Sequence, residues 1–280
     1  MQNDPPNQAQ SDMWNQDGGR TWADLHTTLD MVFQSLATVL VDEAVAAGGE
    51  QVLDVGCGAG GSTLAVARAL APNGRCIGID ISAPLIATAN ARAVSENLGN
   101  VTFIRGDAQT HAFTPGSFDT IISRLGVMFF DDPNGAFANL RRAARPAGRL
   151  AFIGWRSRDQ NPFMAVAERA AASVVTDFPL RNDDGPGQFA FASASRIEGI
   201  LQAAGWTSID VRSVDLPCSF PAAQLSAYAT RMGPYGRIRE TLDKKVSAQA
   251  DAAVLAAFTP YVHGNVVRFM SACWLATARA

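Results

Sequence analysis

The stretch from Val52 to Gly61 reads VLDVGCGAGG, a short apolar run that enters four glycines within six positions. Backbone without side chains at such a turn lets the chain reverse tightly and lets a ligand approach the main chain closely. The residues beyond the turn fix its context. Residues 62–71 place Leu64, Ala67 and Leu70 on one helical face, and residues 75–79 are apolar again. Strand, glycine turn, helix and strand make a βαβ unit, which commits this part of the chain to a parallel sheet.

The alternation continues. Ser82 is placed to cap a helix carrying Ile86, Ala89 and Ala93 that stops at Gly99, and residues 101–104 form a third strand. Residues 118–123 form a fourth. Asp132-Pro133 reads as an N-cap with proline at the first helical position, opening a helix with Phe137, Leu140 and Ala144. Pro146-Ala147-Gly148 turns into a fifth strand over 150–155. Five strands alternating with helices predict a mostly parallel sheet covered on both faces.

The flanks are less regular. Residues 1–20 are rich in Asn, Gln, Asp, Pro and Gly and are expected to be a loose arm. Leu25, Leu29, Val32, Phe33, Leu36 and Leu40 predict one long amphipathic helix over 21–47, or two. Residues 162–178 read as an alanine-rich helix and 182–187 as a loop. Ser195 with Glu198 reads as a capping box, and residues 206–216 as a strand with a bulge at Arg212-Ser213. Residues 222–257 are helical in pattern, and 265–278 form a last strand. The expected organisation is an arm with lid helices over 1–48 and one α/β domain over 49–280, with helical lid insertions at about 157–190 and 221–262.

The glycines fit two ligand classes. Gly56, Gly58 and Gly61 match the dinucleotide G-x-G-x-x-G pattern, while Gly56, Gly58 and Gly60 match a G-x-G-x-G loop for S-adenosylmethionine. Acids at the strand ends favour the second. Asp54, two residues before the loop, would repel a pyrophosphate and attract a sulfonium or ammonium. Asp80 ends the second strand, where a carboxylate can accept both hydroxyls of a ribose. Asp107, beside the backbone amide of Ala108, can receive an adenine amino group while that amide donates to a ring nitrogen.

On these residues the sequence resembles the class I S-adenosylmethionine-dependent methyltransferases, particularly the ubiquinone/menaquinone C-methyltransferase-like branch that acts on small molecules. VLDVGCGAGG, the GIDIS around Asp80, the IRGDA around Asp107, FDTIISRLGVMFFDDP and LRRAARPAGRLAFIGW carry the likeness over residues 50–156. The resemblance implies a doubly wound, Rossmann-like α/β fold with a seven-stranded sheet whose last strand is antiparallel. It further implies that Gly56 and the backbone at Ser123 or Arg124 hold the methionine moiety, and that Ile81 packs on adenine. S-adenosylmethionine is then the cofactor and S-adenosylhomocysteine its product. A nicotinamide-dependent oxidoreductase and a non-catalytic cofactor-binding module are the alternatives.

Methyl transfer from a sulfonium is an in-line displacement that asks mainly for alignment and exclusion of water, with a base where the acceptor must lose a proton. His26, Tyr228, Tyr235 and His263 are the weak candidates for that role, and no motif marks any of them. No cluster has metal-ligand spacing, and Asp131-Asp132 is expected to be a helix cap rather than a metal site. With 23 Lys and Arg against 26 Asp and Glu, the chain has no field to collect nucleic acid. By the same resemblance, Ser123-Arg124-Leu125-Gly126 stands where enzymes that methylate exocyclic amino groups of DNA bases or glutamine side chains have Asp/Asn-Pro-Pro-aromatic, which disfavours those substrates. A small, largely apolar or aromatic acceptor is expected, enclosed by lid segments bearing Trp14, Trp22, Phe163, Phe189, Tyr228 and Tyr235. Four scattered cysteines without C-x-x-C, no export signal and no long apolar run predict a cytoplasmic protein without membrane insertion.

Overall fold

The computed structural model describes residues 6–46, 48, 50–70, 72–179 and 185–280. Its centre is the sheet that the glycine turn demands. Strands β1 (Gln51–Val55), β2 (Arg75–Asp80), β3 (Val101–Arg105), β4 (Phe118–Arg124) and β5 (Ala144–Trp155) are all parallel, with Val52 paired to Cys76 on one side and to Thr120 on the other. Strand β6 (Thr207–Pro221) and the two-residue β7 (Val262–His263) come next in the chain, and the final strand β8 (Val266–Arg279) closes the sheet. The order is β3-β2-β1-β4-β5-β8-β6, so the last strand slots between β5 and β6 and runs antiparallel to both. The expected α/β sheet with an antiparallel last strand is observed, β7 being a short extra pairing on β8.

Helices α4 (Gln34–Ala46), α5 (Gly61–Leu70), α6 (Ala83–Ser95), α7 (Pro133–Ala143) and α9 (Ala194–Ala203) surround the sheet. Their starts follow local chemistry. The Ser82 hydroxyl accepts from the Leu85 amide at 3.4 Å, and Asp132 accepts from the Gly135 amide at 2.9 Å, each with proline in the first turn. Core residues such as Leu53, Ile121, Ile122 and Phe152 are fully buried.

Several expectations are corrected. Residues in the supposed loose arm form α1 (Gln8–Asn15) and α2 (Asp17–Asp24), docked by contacts that polar composition does not reveal. The predicted helix over 21–47 is broken at Leu25 and Phe33, so that α3 (His26–Val32) stands apart from α4. The alanine-rich helix shrinks to α8 (Val166–Ala172) behind a 3₁₀ turn at Pro162–Ala165. The capping box does not form: α9 starts after Ser193, whose hydroxyl pairs with that of Ser195 at 2.8 Å. The β6 irregularity lies between Thr207 and Asp210, where Ser208 takes φ 49°, rather than at Arg212-Ser213. Of the loop expected at 182–187, residues 182–184 lie outside the described residues.

The region after β6 holds α10 (Leu225–Arg231), α11 (Gly233–Ile238) and α12 (Lys244–Ala257). With α8 they enclose a small second core that includes Val166, Ala171, Tyr235, Val254 and Phe258. This satellite core stands beside the carboxyl ends of the strands.

Candidate active site

The sheet order reverses direction between β1 and β4, and at this switch point open α/β sheets hold their ligands. A cavity of about 390 Å³ opens there. Its size falls within the range of roughly 300–1,000 Å³ usual for small-molecule sites. One end is bordered by the glycine loop and the ends of β2 and β3, the other by aromatic side chains from the helices.

The loop's glycines have separate duties. Gly56, at φ 67°, passes so close to Gly126 that an added Cβ would lie 2.7 Å from the Gly126 Cα, so β1 and the turn after β4 meet backbone to backbone. Gly60, at φ 82°, would drive a Cβ to 2.8 Å from the Phe103 ring. Gly56 and Gly58 border the cavity, whereas Gly60 is the packing contact beneath it.

The three acids also divide. Asp80 accepts the Gly58 amide on Oδ2 and the Ser82 amide on Oδ1, both at 2.8 Å, and borders the cavity. Burial pushes its carboxyl up to about 6, with Asp54 adding to the rise and the two amides opposing it. Asp107 borders the cavity with Ala108, whose amide donates to no acceptor among the described residues. Asp54 behaves otherwise than expected. It is fully buried, accepts the hydroxyls of Ser62 and Thr63 at 2.7 Å each, and does not border the cavity. Burial raises its carboxyl above the usual range, and its place is to tie the first turn of α5 to β1. The signal for this was present in the two adjacent hydroxyl residues at the helix start.

Ile81 borders the cavity beside Asp80, as does Arg124 at the end of β4. Ser123 does not: it is buried, its hydroxyl donating to the Val55 carbonyl at 2.7 Å and accepting from the Gly126 amide at 3.2 Å. Arg124 lies 3.6 Å from Asp30 and 5.8 Å over the Phe33 ring. Asp30 is a cavity residue that helical periodicity alone gave no reason to single out. From α3 it pairs with Arg92 at 2.6 Å, while Arg92 also donates to the Ala59 carbonyl at 2.7 Å. An N-terminal helix is thereby bolted over the glycine loop.

The far end is apolar and aromatic. Phe33 and Trp155 meet at 6.0 Å between ring centroids, Trp155 and Phe163 at 6.0 Å, and Tyr228, Met232 and Phe258 complete the wall. Two acid–base groups stand out in this wall. His26 Nδ1 faces the Ala23 carbonyl at 2.8 Å, and because a carbonyl only accepts, Nδ1 carries a proton; Nε2, 3.3 Å from the Thr27 hydroxyl, is the other ring nitrogen. Glu168 is buried and lies 3.6 Å from Arg158.

The other sequence candidates are less suited. Burial raises the Tyr228 hydroxyl well above its ordinary value, Cys218 adding to the effect. Tyr235, buried and donating to Asp251 at 2.5 Å, is pushed up to about 12, chiefly by burial and then by that carboxylate. Both border the cavity as neutral phenols. His263 is exposed on β7 and does not border it. Asp131 is engaged by Asn7 and Asp132 caps α7, and among the described residues no His, Cys, Asp or Glu group could hold a metal ion.

An open α/β sheet with a glycine loop at its switch point, and with the Asp80 and Asp107 carboxylates and the Ala108 amide bordering the cavity there, is of the class that holds a small-molecule ligand at its strand ends. Residues 47–198 match the family described as Methyltransferase domain, and the chain belongs to it. S-adenosylmethionine is its cofactor, and the bordering residues fit that molecule: Gly58 leaves open space where a side chain would stand, and Asp80 and Ala108 hold acceptor and donor groups at the cavity. The chain is 30% identical over 200 residues to nocamycin O-methyltransferase of Saccharothrix syringae, covering 69% of this chain and 71% of that one. It is 34% identical over 120 residues to the aklanonic acid methyltransferase of Streptomyces sp. strain C5, covering 43% of this chain and 54% of that one. Among solved structures, the [4+2]-cyclase SpnF shares the fold with a TM-score of 0.58 at 22% identity, covering 98% of this chain and 97% of that one. The nicotinamide alternative gains no support from these comparisons. Among the described residues no helix is long and apolar enough to cross a membrane.

Proposed function

We propose that this methyltransferase transfers a methyl group to an oxygen atom of a small, largely apolar ring-bearing acceptor, without a metal. The observation that carries the reading is the aromatic end of the cavity, where Phe33, Trp155, Phe163 and Phe258 enclose a space continuous with the glycine loop. The names of the two bacterial relatives, an O-methyltransferase and an acid methyltransferase, support oxygen as the acceptor atom.

In this reading Gly56, Gly58 and Arg124 hold the amino-acid portion of the cofactor, Asp80 the ribose, and Ile81, Asp107 and Ala108 the adenine. The cofactor supplies an electrophilic methyl on a sulfonium. The protein contributes alignment and a dry site, a role supported by the helices α1, α2, α3, α8, α10 and α11 that border the cavity. His26 Nε2 takes the proton of a phenolic acceptor, whereas an acceptor that is already a carboxylate needs no base. The acidic chain and four buried thiols accord with a cytoplasmic enzyme of small molecules rather than of nucleic acid.

The test is a panel of phenolic and carboxylic ring acceptors assayed with labelled methyl donor, using the wild type and His26→Ala. Label is expected on oxygen. The variant should slow phenol methylation about 10²-fold or more while sparing carboxylates and cofactor affinity. Label found on carbon or nitrogen, or an equal loss with both acceptor types, would refute the proposal.

A further inference from the structure

Asn7 is an asparagine at the start of a helix, the position at which such a side chain ordinarily accepts a hydrogen bond from the helix's own amides. Here it makes no such bond to α1. Its residue is buried, its backbone is left-handed at φ 57°, and its backbone amide and both side-chain polar atoms reach across the molecule, while its carbonyl takes the Ser11 amide of α1. The side-chain amide donates to Asp107 Oδ1 at 2.9 Å. The backbone amide donates to Asp131 Oδ2 at 2.7 Å, and the side-chain oxygen accepts from the Asp131 amide at 2.7 Å.

The Asp107 carboxylate is therefore held at one end. Its Oδ1 receives both Asn7 and the Gln109 amide, each at 2.9 Å, while Oδ2 has only the Thr110 hydroxyl at 3.4 Å. One oxygen is saturated and the other is left for a donor in the cavity, beside the uncommitted Ala108 amide. Gln109 strengthens the arrangement from behind, its side chain accepting from the Asp132 amide at 3.0 Å. Asn7 itself borders the cavity, as do Met13 and Trp14 of α1.

We infer that Asn7 is a positioning residue for adenine recognition: it fixes the rotation of Asp107 so that Oδ2 meets the adenine amino group, and it couples docking of the N-terminal helix to occupancy of the adenine site. The inference rests on the proposed adenine role of Asp107.

The experiment is a double-mutant cycle of Asn7→Ala and Asp107→Asn on the full chain, titrated by calorimetry with S-adenosylhomocysteine and with S-inosylhomocysteine, whose ring carries a keto group in place of the amino group. Asn7→Ala should weaken S-adenosylhomocysteine about tenfold, and less than about twofold when Asp107 is already Asn or when the ligand is the inosyl analogue. Asn7→Gln, which moves the amide a methylene out of register, guards against misfolding of the first variant and should behave alike. Equal loss for both ligands would mean that the helix merely covers the site, and unchanged affinity would mean that Asn7 does nothing there. Either result overturns the inference. If Asp107→Asn alone binds both ligands as the wild type does, the adenine assignment fails first and takes the inference with it.

Discussion

Asp80 holds its proton to higher pH than an ordinary aspartate because the strand ends remove it from water faster than two amides can compensate. Its value of about 6 lies above the unfolded one, so its contribution to the stability of the free protein is present below the unfolded value and lost as pH rises through 6. Ligand affinity has the opposite sign, since ribose hydroxyls need an ionised acceptor. S-adenosylhomocysteine affinity is expected to fall as pH drops below about 6, by up to about tenfold per pH unit, and Asp80→Asn should flatten the profile while Asp80→Ala costs roughly 1.5–3 kcal/mol at neutral pH. Calorimetry between about pH 5 and about pH 8 checks both, and an unchanged slope in Asp80→Asn would assign the titration to another group. Asp80 and Asp107 could be placed at the cavity from the sequence because Asp80 ends β2 and Asp107 follows β3 by two residues, both on the carboxyl side of the sheet. Asp54 was misread because spacing along a strand locates a carboxylate without showing which of its neighbours it will face. Ser62 and Thr63 decide that matter.

At the scale of elements, the βαβ core was legible because apolar periodicity and glycine placement act locally. The first two helices were not, because tertiary bonds hold them. Trp14 packs edge-on against Trp22 at 5.6 Å and Phe129 at 5.4 Å, its carbonyl accepts the Ser82 hydroxyl at 2.6 Å, and Asn15 bonds the Ile81 carbonyl and the Ala83 amide. A polar segment thus docks on the loop just beyond Asp80. Beside the cavity, Arg231 of α10, one of its bordering residues, meets Asp24 of α2 at 2.6 Å, with both side chains substantially exposed. Such a pair is worth about 0–1 kcal/mol to folding. Its effect should appear in exchange instead: Asp24→Ala is expected to leave the unfolding midpoint nearly unchanged and to speed release of S-adenosylhomocysteine severalfold, measured by stopped-flow displacement. A lower midpoint with an unchanged release rate would make the pair structural.

For the molecule as a whole, the cavity lies between the sheet and two groups of helices, so no single element contains the site. Turnover is expected to survive EDTA. A sulfonium methyl needs no Lewis acid, and the two acids nearest to a metal-like pairing, Asp131 and Asp132, are already engaged by Asn7 and by the start of α7. Loss of activity in chelator with rescue by magnesium would overturn that reading and move the acceptor toward a catechol.

The placement of β8 has a consequence for biogenesis. Residues 266–279 lie between β5 and β6, pairing Trp155 with Cys273 on one side and Val214 with Cys273 on the other. While the chain emerges from the ribosome, β1 to β5 can assemble in order, but β6 has no sheet neighbour until these late residues arrive. The wall of the cavity at Trp155 is braced in the same step. Nascent chains therefore carry an open strand edge on β5 and an unpaired ribbon of residues 207–221 at the same time, which is the interval in which edge-to-edge association is open to them.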